Sequence, residues 1–166
     1  MSRDTTLLGP ASADLWLSAT APNVDLQVHL DIVGQDIFPE GSGLGEFSGW
    51  WNSITGADFD KDGDLDVFVG GRITPGRYPV APRSYLLRND NGKFTDVIKE
   101  VAPEIQNIGM VSSAVWSDYD SDGLLDLILV GEWMPLTVMK QEKDSNESIE
   151  FRNVTEEAGL AHTSGW

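Results

Sequence analysis

The amino-acid sequence predicts an all-β protein, and three observations support that fold class. Residues 24–32 alternate strictly between apolar and polar side chains, as in a half-buried strand. An acidic segment of nine residues occurs twice, about sixty residues apart, and a β-branched apolar run follows each copy. Short apolar runs and turn-forming residues surround both copies in the same order. Four short strands in a repeat of about sixty residues are typical of a propeller blade. We therefore expect two four-stranded propeller-type blades after an N-terminal β-hairpin segment.

Composition limits the classes of partner. The chain has 166 residues, 40% hydrophobic content and a formal net charge of −16. An excess of negative charge this large argues against nucleic acid and anionic membranes as partners. The sequence contains no cysteine, which excludes disulfides and thiol chemistry. Residues 1–5 do not read as a signal peptide, and no apolar run has membrane-spanning length, so we expect no membrane insertion.

The N-terminal part divides into a β segment and a linker. Residues 1–33 contain two predicted strands around a turn at Ala21-Pro22-Asn23, and they could cover an otherwise exposed blade edge. Residues 34–47 are rich in glycine and predict a flexible connection. Their glycine spacing is not that of a phosphate-binding loop.

Two repeat units follow the linker. Residues 48–108 form the first predicted blade, with strands at 52–57, 65–70, 84–88 and 93–97 and a hairpin turn at Asn91-Gly92. Residues 109–166 form the second, with strands at 111–116, 125–130, 136–140 and 151–154. Ser164-Gly165-Trp166 repeats Ser48-Gly49-Trp50, which predicts that a third repeat starts there.

The duplicated acidic segment predicts a metal-binding loop. Six of its nine positions are identical in the two copies: aspartates at positions 1, 3, 5 and 9, a glycine at position 6 and a leucine at position 8. The glycine allows a sharp turn, and position 7 would add a backbone carbonyl oxygen. The candidate ligands are Asp58, Asp60, Asp62, Asp64 and Asp66 in the first loop and Asp118, Asp120, Asp122, Leu124 and Asp126 in the second.

Calcium is the ion that these ligands favour. Ca²⁺ accepts six to eight oxygen ligands in a flexible shell, whereas Mg²⁺ requires a stricter octahedron and Zn²⁺ prefers histidine or cysteine. An EF-hand is excluded because position 12 is Val69 or Leu129 instead of glutamate, and because strands follow the loops. The alternative is a solvated acidic turn. Two copies in register favour the metal, because the crowded carboxylates repel one another without a cation.

Several segments outside the acidic loops resemble FG-GAP/VCBS repeat proteins. The resemblance covers about residues 48–166 and rests on residues 57–66, 67–72, 75–79, 84–89 and 131–135. It implies calcium in each Asp loop, between the first two strands of a blade, and a full propeller of six to eight blades. It also implies a secreted or surface-displayed protein similar to the integrin α-subunit head. Two blades alone cannot close a ring.

Residues 4–28 resemble a different family. They look like part of the C-terminal β-sandwich of X-Pro dipeptidyl-peptidase and cocaine-esterase-like serine hydrolases. In that family the catalytic residues lie mainly in a separate α/β-hydrolase domain. The sequence has no Gly-x-Ser-x-Gly elbow, no supported Ser-His-Asp order and no zinc pattern, so hydrolase activity does not carry over.

We therefore expect a non-catalytic, calcium-binding interaction or adhesion module that holds two Ca²⁺ ions and contacts a protein or glycan. Its expected location is extracellular, periplasmic or on the cell surface. Two alternatives stay open: an accessory domain of a serine hydrolase, and a scaffold that forms a homo-oligomer through open blade edges to complete a ring. Tryptophans could offer a carbohydrate platform, but Trp50, Trp116 and Trp133 flank repeat strands, which favours packing between blades.

Overall fold

The computed structural model describes residues 23–24, 50–74 and 76–163, with side chains from residue 53 onward. The predicted linker at 34–47 and the start of a third repeat at 164–166 lie outside the described residues. So does the predicted hairpin over 5–33, apart from Asn23–Val24.

The first sheet is an antiparallel meander that follows the chain order. Its strands are β1 (Asn23–Val24), β2 (Trp50–Ala57), β3 (Asp66–Ile73), β4 (Tyr85–Asp90) and β5 (Lys93–Asp96). The two-residue strand β1 pairs with Gly56 and Ala57 at the edge formed by β2. Asn91 and Gly92 connect β4 to β5 with φ angles of 55° and 86°, which confirms the predicted hairpin turn.

The second sheet repeats the four-stranded meander. Its strands are β6 (Met110–Ser117), β7 (Asp126–Glu132), β8 (Thr137–Lys143) and β9 (Ile149–Asn153), in that order. The prediction of an all-β chain with two four-stranded antiparallel sheets is therefore confirmed. Within the described residues, neither sheet closes on itself.

The connection between the sheets contains short helical turns that the sequence reasoning did not predict. These are α1 (Ile98–Val101) and a 3₁₀ turn over Pro103–Ile105. Ile98, Ala102 and Ile105 are fully buried and join the main core. Their spacing of four, then three, residues is the helical signal by which this segment could have been found.

The core lies between the two sheets. Residues that pair across strands point to the same side of a sheet, so Thr55, Phe68 and Leu86 share one face of the first sheet. Phe68 and Leu86 belong to the same buried cluster as Trp116 and Leu127, which lie opposite each other on the second sheet. The sheets therefore pack face to face, and β6 lies against β2 and β3.

The two sheets use different faces in this contact. Counted from the Asp loops, Thr55, Phe68 and Gly70 correspond to Val115, Ile128 and Val130. The first three lie in the contact, whereas Val115 and Val130 are 38% and 41% exposed. We call the surface formed by Val115, Ile128 and Val130 the outer face of the second sheet. The sheets therefore stack front to back, as successive copies of one unit.

Candidate metal centre

Both Asp loops occupy the same place in their sheets. Residues 58–65 connect β2 to β3, and residues 118–125 connect β6 to β7. Position 4 has a positive φ in each loop, 65° at Lys61 and 64° at Ser121, and position 6 is a glycine with φ of 98° or 85°. The conformation at position 6 is one that only glycine adopts without strain. The duplicated sequence thus folds into a duplicated backbone.

The aspartates hold this backbone through hydrogen bonds from amide groups. Asp58 and Asp118 each accept one from the glycine at position 6, at 3.2 and 3.0 Å. The position-5 carboxylates, of Asp62 and Asp122, accept one from the amide two residues later, at 2.8 Å in both loops. These bonds use part of each carboxylate and fix its orientation, leaving other oxygen lone pairs for a cation.

Position 9 ties each loop to its sheet. Asp66 is fully buried, and its two oxygens accept hydrogen bonds from the amides of Phe59, at 3.0 Å, and Asn89, at 2.9 Å. Asp126 is also fully buried and accepts bonds from the equivalent amides of Tyr119 and Gln141, at 3.0 and 2.8 Å. The ninth aspartate therefore joins the loop to the third strand of each unit.

The loops bring some of the predicted ligands together. Asp58, Asp60 and Asp62 form one group of carboxylates, and Asp118, Asp120 and Asp126 form another, with one oxygen of each residue within 4.8 Å of the others. The first group holds positions 1, 3 and 5, and the second holds positions 1, 3 and 9.

The remaining predicted ligands have other contacts. Asp64 accepts a hydrogen bond from the amide of Asn91 at 2.7 Å, and Asp66 is held by its two amide bonds. Asp122 lies beside Lys140, and Leu124 has no side-chain oxygen. The predicted backbone carbonyl ligands at Asp64 and Leu124 stay predictions.

The donor set fits calcium chemically. Every converging group is a carboxylate oxygen, a hard ligand that suits Ca²⁺, and neither group contains histidine. A cation also lies in the second loop, because the ammonium group of Lys140 bonds to Asp120 and approaches Asp122 within 3.2 Å. An ammonium ion among these oxygens shows that the loop accepts positive charge.

Burial makes ionisation of several carboxylates costly. It raises the pKa of Asp66 to about 7, although two backbone amides oppose the shift. Burial also raises the pKa of Asp60 and of Asp126, with further increases from neighbouring aspartates. In contrast, the hydrogen bond from Lys140 lowers the pKa of Asp120. A bound divalent cation would favour the ionised form of all four groups.

The two loops lie next to each other. The Nζ atom of Lys61, in the first loop, donates a hydrogen bond to the carbonyl oxygen of Gly123, in the second, at 2.8 Å. The equivalent of Lys61 in the second loop is Ser121, which is too short for such a contact. The lysine at position 4 does not by itself predict this bridge, because the sequence does not show that the two loops are neighbours.

A scan of the chain against protein-family models and a search of curated proteins both return no match. The described part of the chain contains no helix with the length and hydropathy needed to cross a bilayer.

The tryptophans divide between packing and exposure. Trp116 is 5% exposed and stacks on Phe59, which confirms its predicted role between the sheets. Trp133 is 66% exposed, so the packing prediction is wrong for this residue. Its indole N–H donates to the hydroxyl of Tyr78 at 3.0 Å, and Tyr78 is itself 58% exposed. The side chain of Trp50 lies outside the described residues.

Sequence reasoning missed residues that support the loops from a distance. Lys140 bonds to the second loop, and Gln141 reaches the first loop, where its Nε2 atom donates to the carbonyl oxygen of Phe59 at 2.9 Å. Both lie on β8. Gln141 lies 15 residues after the ninth aspartate of its loop, whereas its structural counterpart Asn89 lies 23 residues after it, so matching the repeats at the Asp loops gave no signal for either residue of β8.

Proposed function

We propose that this protein is a non-catalytic calcium-binding module of the FG-GAP/VCBS type, with one Ca²⁺ ion in each Asp loop. The observation that carries the proposal is the duplicated loop. Two segments with the same aspartate spacing have matching φ angles at positions 4 and 6 and share the amide-to-carboxylate hydrogen bonds at positions 1, 3, 5 and 9. Each also gathers three carboxylates around one point.

The proposed ion explains why so much negative charge is concentrated in these loops. Converging carboxylates repel one another, and burial of Asp66 and Asp126 adds a desolvation cost. A cation that binds the folded chain and not the unfolded one offsets both costs. Extracellular modules bind calcium with a dissociation constant of about 10⁻⁴–10⁻³ M, so the proposed sites would fill outside cells. This agrees with our expectation of a surface, periplasmic or extracellular location.

The front-to-back packing supports the propeller-type assignment of the two sheets. In a propeller each four-stranded blade packs the same face against the next blade, so a residue buried at one contact has its equivalent on the surface that receives the following blade. Phe68 is buried between the two sheets, and its counterpart Ile128 lies on the partly exposed outer face of the second sheet. The partly exposed outer face of Val115, Ile128 and Val130 would then receive another sheet, from this chain or from a second copy in a homo-oligomer.

The proposed interaction surface is the end of the sheets opposite the Asp loops. Strands β3 and β7 run from the loops to that end, where Tyr78, Val80 and Trp133 are all more than half exposed. Exposed aromatic side chains provide rigid contact area for a protein or glycan. In this proposal, calcium stabilises one end of the module and the other end contacts the partner.

A thermal melt of the full chain tests the calcium proposal. We expect about 10 mM Ca²⁺ to raise Tm by about 6 °C or more over the metal-stripped protein if both sites fill, and Mg²⁺ to have a smaller effect. Asp58→Asn, which removes one carboxylate of the first group, should reduce the calcium-dependent increase in Tm. Glu104→Gln, which removes an exposed carboxylate outside the loops, is the matched control and should keep it. Equal melts with calcium and with chelator would reject the proposal.

A further inference from the structure

The second loop contains an internal cation. Lys140 lies on β8 with its side chain 22% exposed, and its ammonium group contacts two carboxylates of the loop. It bonds to Asp120, at position 3, and lies 3.2 Å from Asp122, at position 5. Asp120 belongs to the group of converging carboxylates in the second loop, and Asp122 is a further ligand predicted from the sequence.

The first loop has no equivalent contact. Arg88 occupies the position that matches Lys140, because its neighbour Asn89 bonds to Asp66 as Gln141 bonds to Asp126. Arg88 pairs instead with Asp90 on its own strand, at 3.2 Å. Among the described residues, no lysine or arginine forms an ion pair with a carboxylate of the first loop.

The neighbouring charges explain the difference between the two units. The counterpart of Asp90 is Glu142, which would lie within reach of Lys140 in the same way. Glu142 is already held by Arg152 from β9, at 3.0 Å. Arg152 thus competes with Lys140 for Glu142, and the ammonium group of Lys140 pairs with the loop instead. The equivalent residue of Arg152 in the first unit is Thr95, which leaves Asp90 free for Arg88.

The two loops differ in how their carboxylates are paired. Asp60 and Asp120 occupy the same loop position. The ammonium group of Lys140 bonds to Asp120, whereas no described lysine or arginine forms an ion pair with Asp60. The lysine of the first loop, Lys61, donates instead to the carbonyl oxygen of Gly123.

On the basis of the calcium function proposed above, we propose that Lys140 is an internal competitor of calcium at the second Asp loop. An ammonium group and a Ca²⁺ ion repel each other, and both need the carboxylate of Asp120. Calcium must therefore displace Lys140 from the second loop, whereas it enters the first without displacing a side chain. The two sites then differ: the first binds calcium more tightly, and the second keeps its shape without metal.

Calcium titration of site-isolated variants of the full chain tests this inference. Asp60→Asn weakens the first loop, so that the calorimetric signal that remains reports the second. In this background, Lys140→Met should tighten calcium binding about threefold to tenfold, the range expected for one or two partly exposed ion pairs. Lys140→Arg keeps the charge and should resemble the parent. Lys143→Met removes a lysine from the same strand that pairs with Glu147 outside the loop, and it should have little effect.

A melt without calcium gives a second readout. Lys140→Met should lower Tm in chelator, because the second loop loses its counter-charge, and added calcium should restore it. Calcium binding that is unchanged by Lys140→Met, with an unchanged melt in chelator, would overturn the inference and leave the calcium function intact. Absence of calcium binding in the wild type and in every variant would instead reject the proposed function, and this inference with it.

Discussion

The indole ring of Trp116 stacks on the ring of Phe59, with centroids 5.9 Å apart and an angle of 8° between the planes. Phe59 is position 2 of the first Asp loop, and Trp116 belongs to β6 of the other sheet. The first loop is therefore anchored in the core between the sheets. Its counterpart in the second loop, Tyr119, is 42% exposed. Equivalent loop positions thus have different structural roles.

The first prediction concerns this anchor. Phe59→Ala should lower the free energy of unfolding by about 3–5 kcal/mol, because it removes a buried ring from between Trp116 and Phe151. It should also weaken calcium binding at the first loop, since the backbone on both sides of Phe59 carries ligands. Chemical denaturation and calcium titration measure the two effects. Tyr119→Ala is the control at the matching position and should change stability by less than about 0.5 kcal/mol. Equal losses in the two variants would contradict the prediction.

The second prediction concerns pH. Asp66 has a pKa of about 7 in the folded chain, above its value of about 3.9 when unfolded. Between these values the folded chain binds more protons than the unfolded chain. The stability of the metal-free protein should therefore fall as pH rises from about 4 to 7. Asp60 and Asp126, whose pKa values are also raised, act in the same direction. Saturating calcium should weaken this dependence, because it favours the ionised carboxylates.

Melts of metal-stripped protein at pH 5, 6, 7 and 8, with and without calcium, measure the pH dependence. Asp66→Asn separates this effect from the general repulsion among the excess negative charges, because it removes a single titrating group. The variant should show a shallower decrease of Tm with pH than the wild type. Parallel curves for the two proteins would show that Asp66 does not titrate in this range.

The third prediction concerns the close approach of the sheets at Gly70. A Cβ atom there would lie 2.7 Å from the Cγ1 atom of Val111, so the sheets would have to separate. Gly70→Ala should therefore destabilise the protein by about 1–3 kcal/mol. The matching residue of the second sheet is Val130, which lies on the outer face, and Val130→Ala should have an effect within about 0.5 kcal/mol. Urea denaturation compares the two, and similar stabilities would contradict the front-to-back packing.

The fourth prediction concerns the turn between β4 and β5. Gly92 has a φ of 86°, and no heavy atom lies near the site of an added Cβ, so only backbone strain opposes a side chain. Gly92→Ala should cost about 1 kcal/mol, measured as a shift of the denaturation midpoint. Lys93→Ala, at the exposed neighbouring residue, is the control. A Gly92→Ala protein as stable as that control would show that the turn tolerates a different backbone.

The sequence predicted the features that depend on local chemistry. Aspartate spacing and the glycine at position 6 located both loops, and short apolar runs between turn-forming residues located the eight strands of the two units. Residue order also predicted the Asn91-Gly92 turn. Contacts between the units were not predictable in this way, because matching positions have different neighbours. Trp116 is buried whereas Trp133 is exposed, although both flank strands. Lys140 contacts the second loop while Arg152 pairs with the glutamate on its strand, whereas Arg88 pairs with Asp90.

The hydrogen bond from Lys61 to Gly123 has a consequence for how the two loops respond to an ion. A second link joins the first loop to the other unit, because Gln141, which bonds to Asp126, also donates to the carbonyl oxygen of Phe59. If each loop binds an ion as proposed, we expect occupancy of one loop to change the free energy of occupying the other, by the same amount in both directions. The two proposed sites would then fill as a linked pair and not independently.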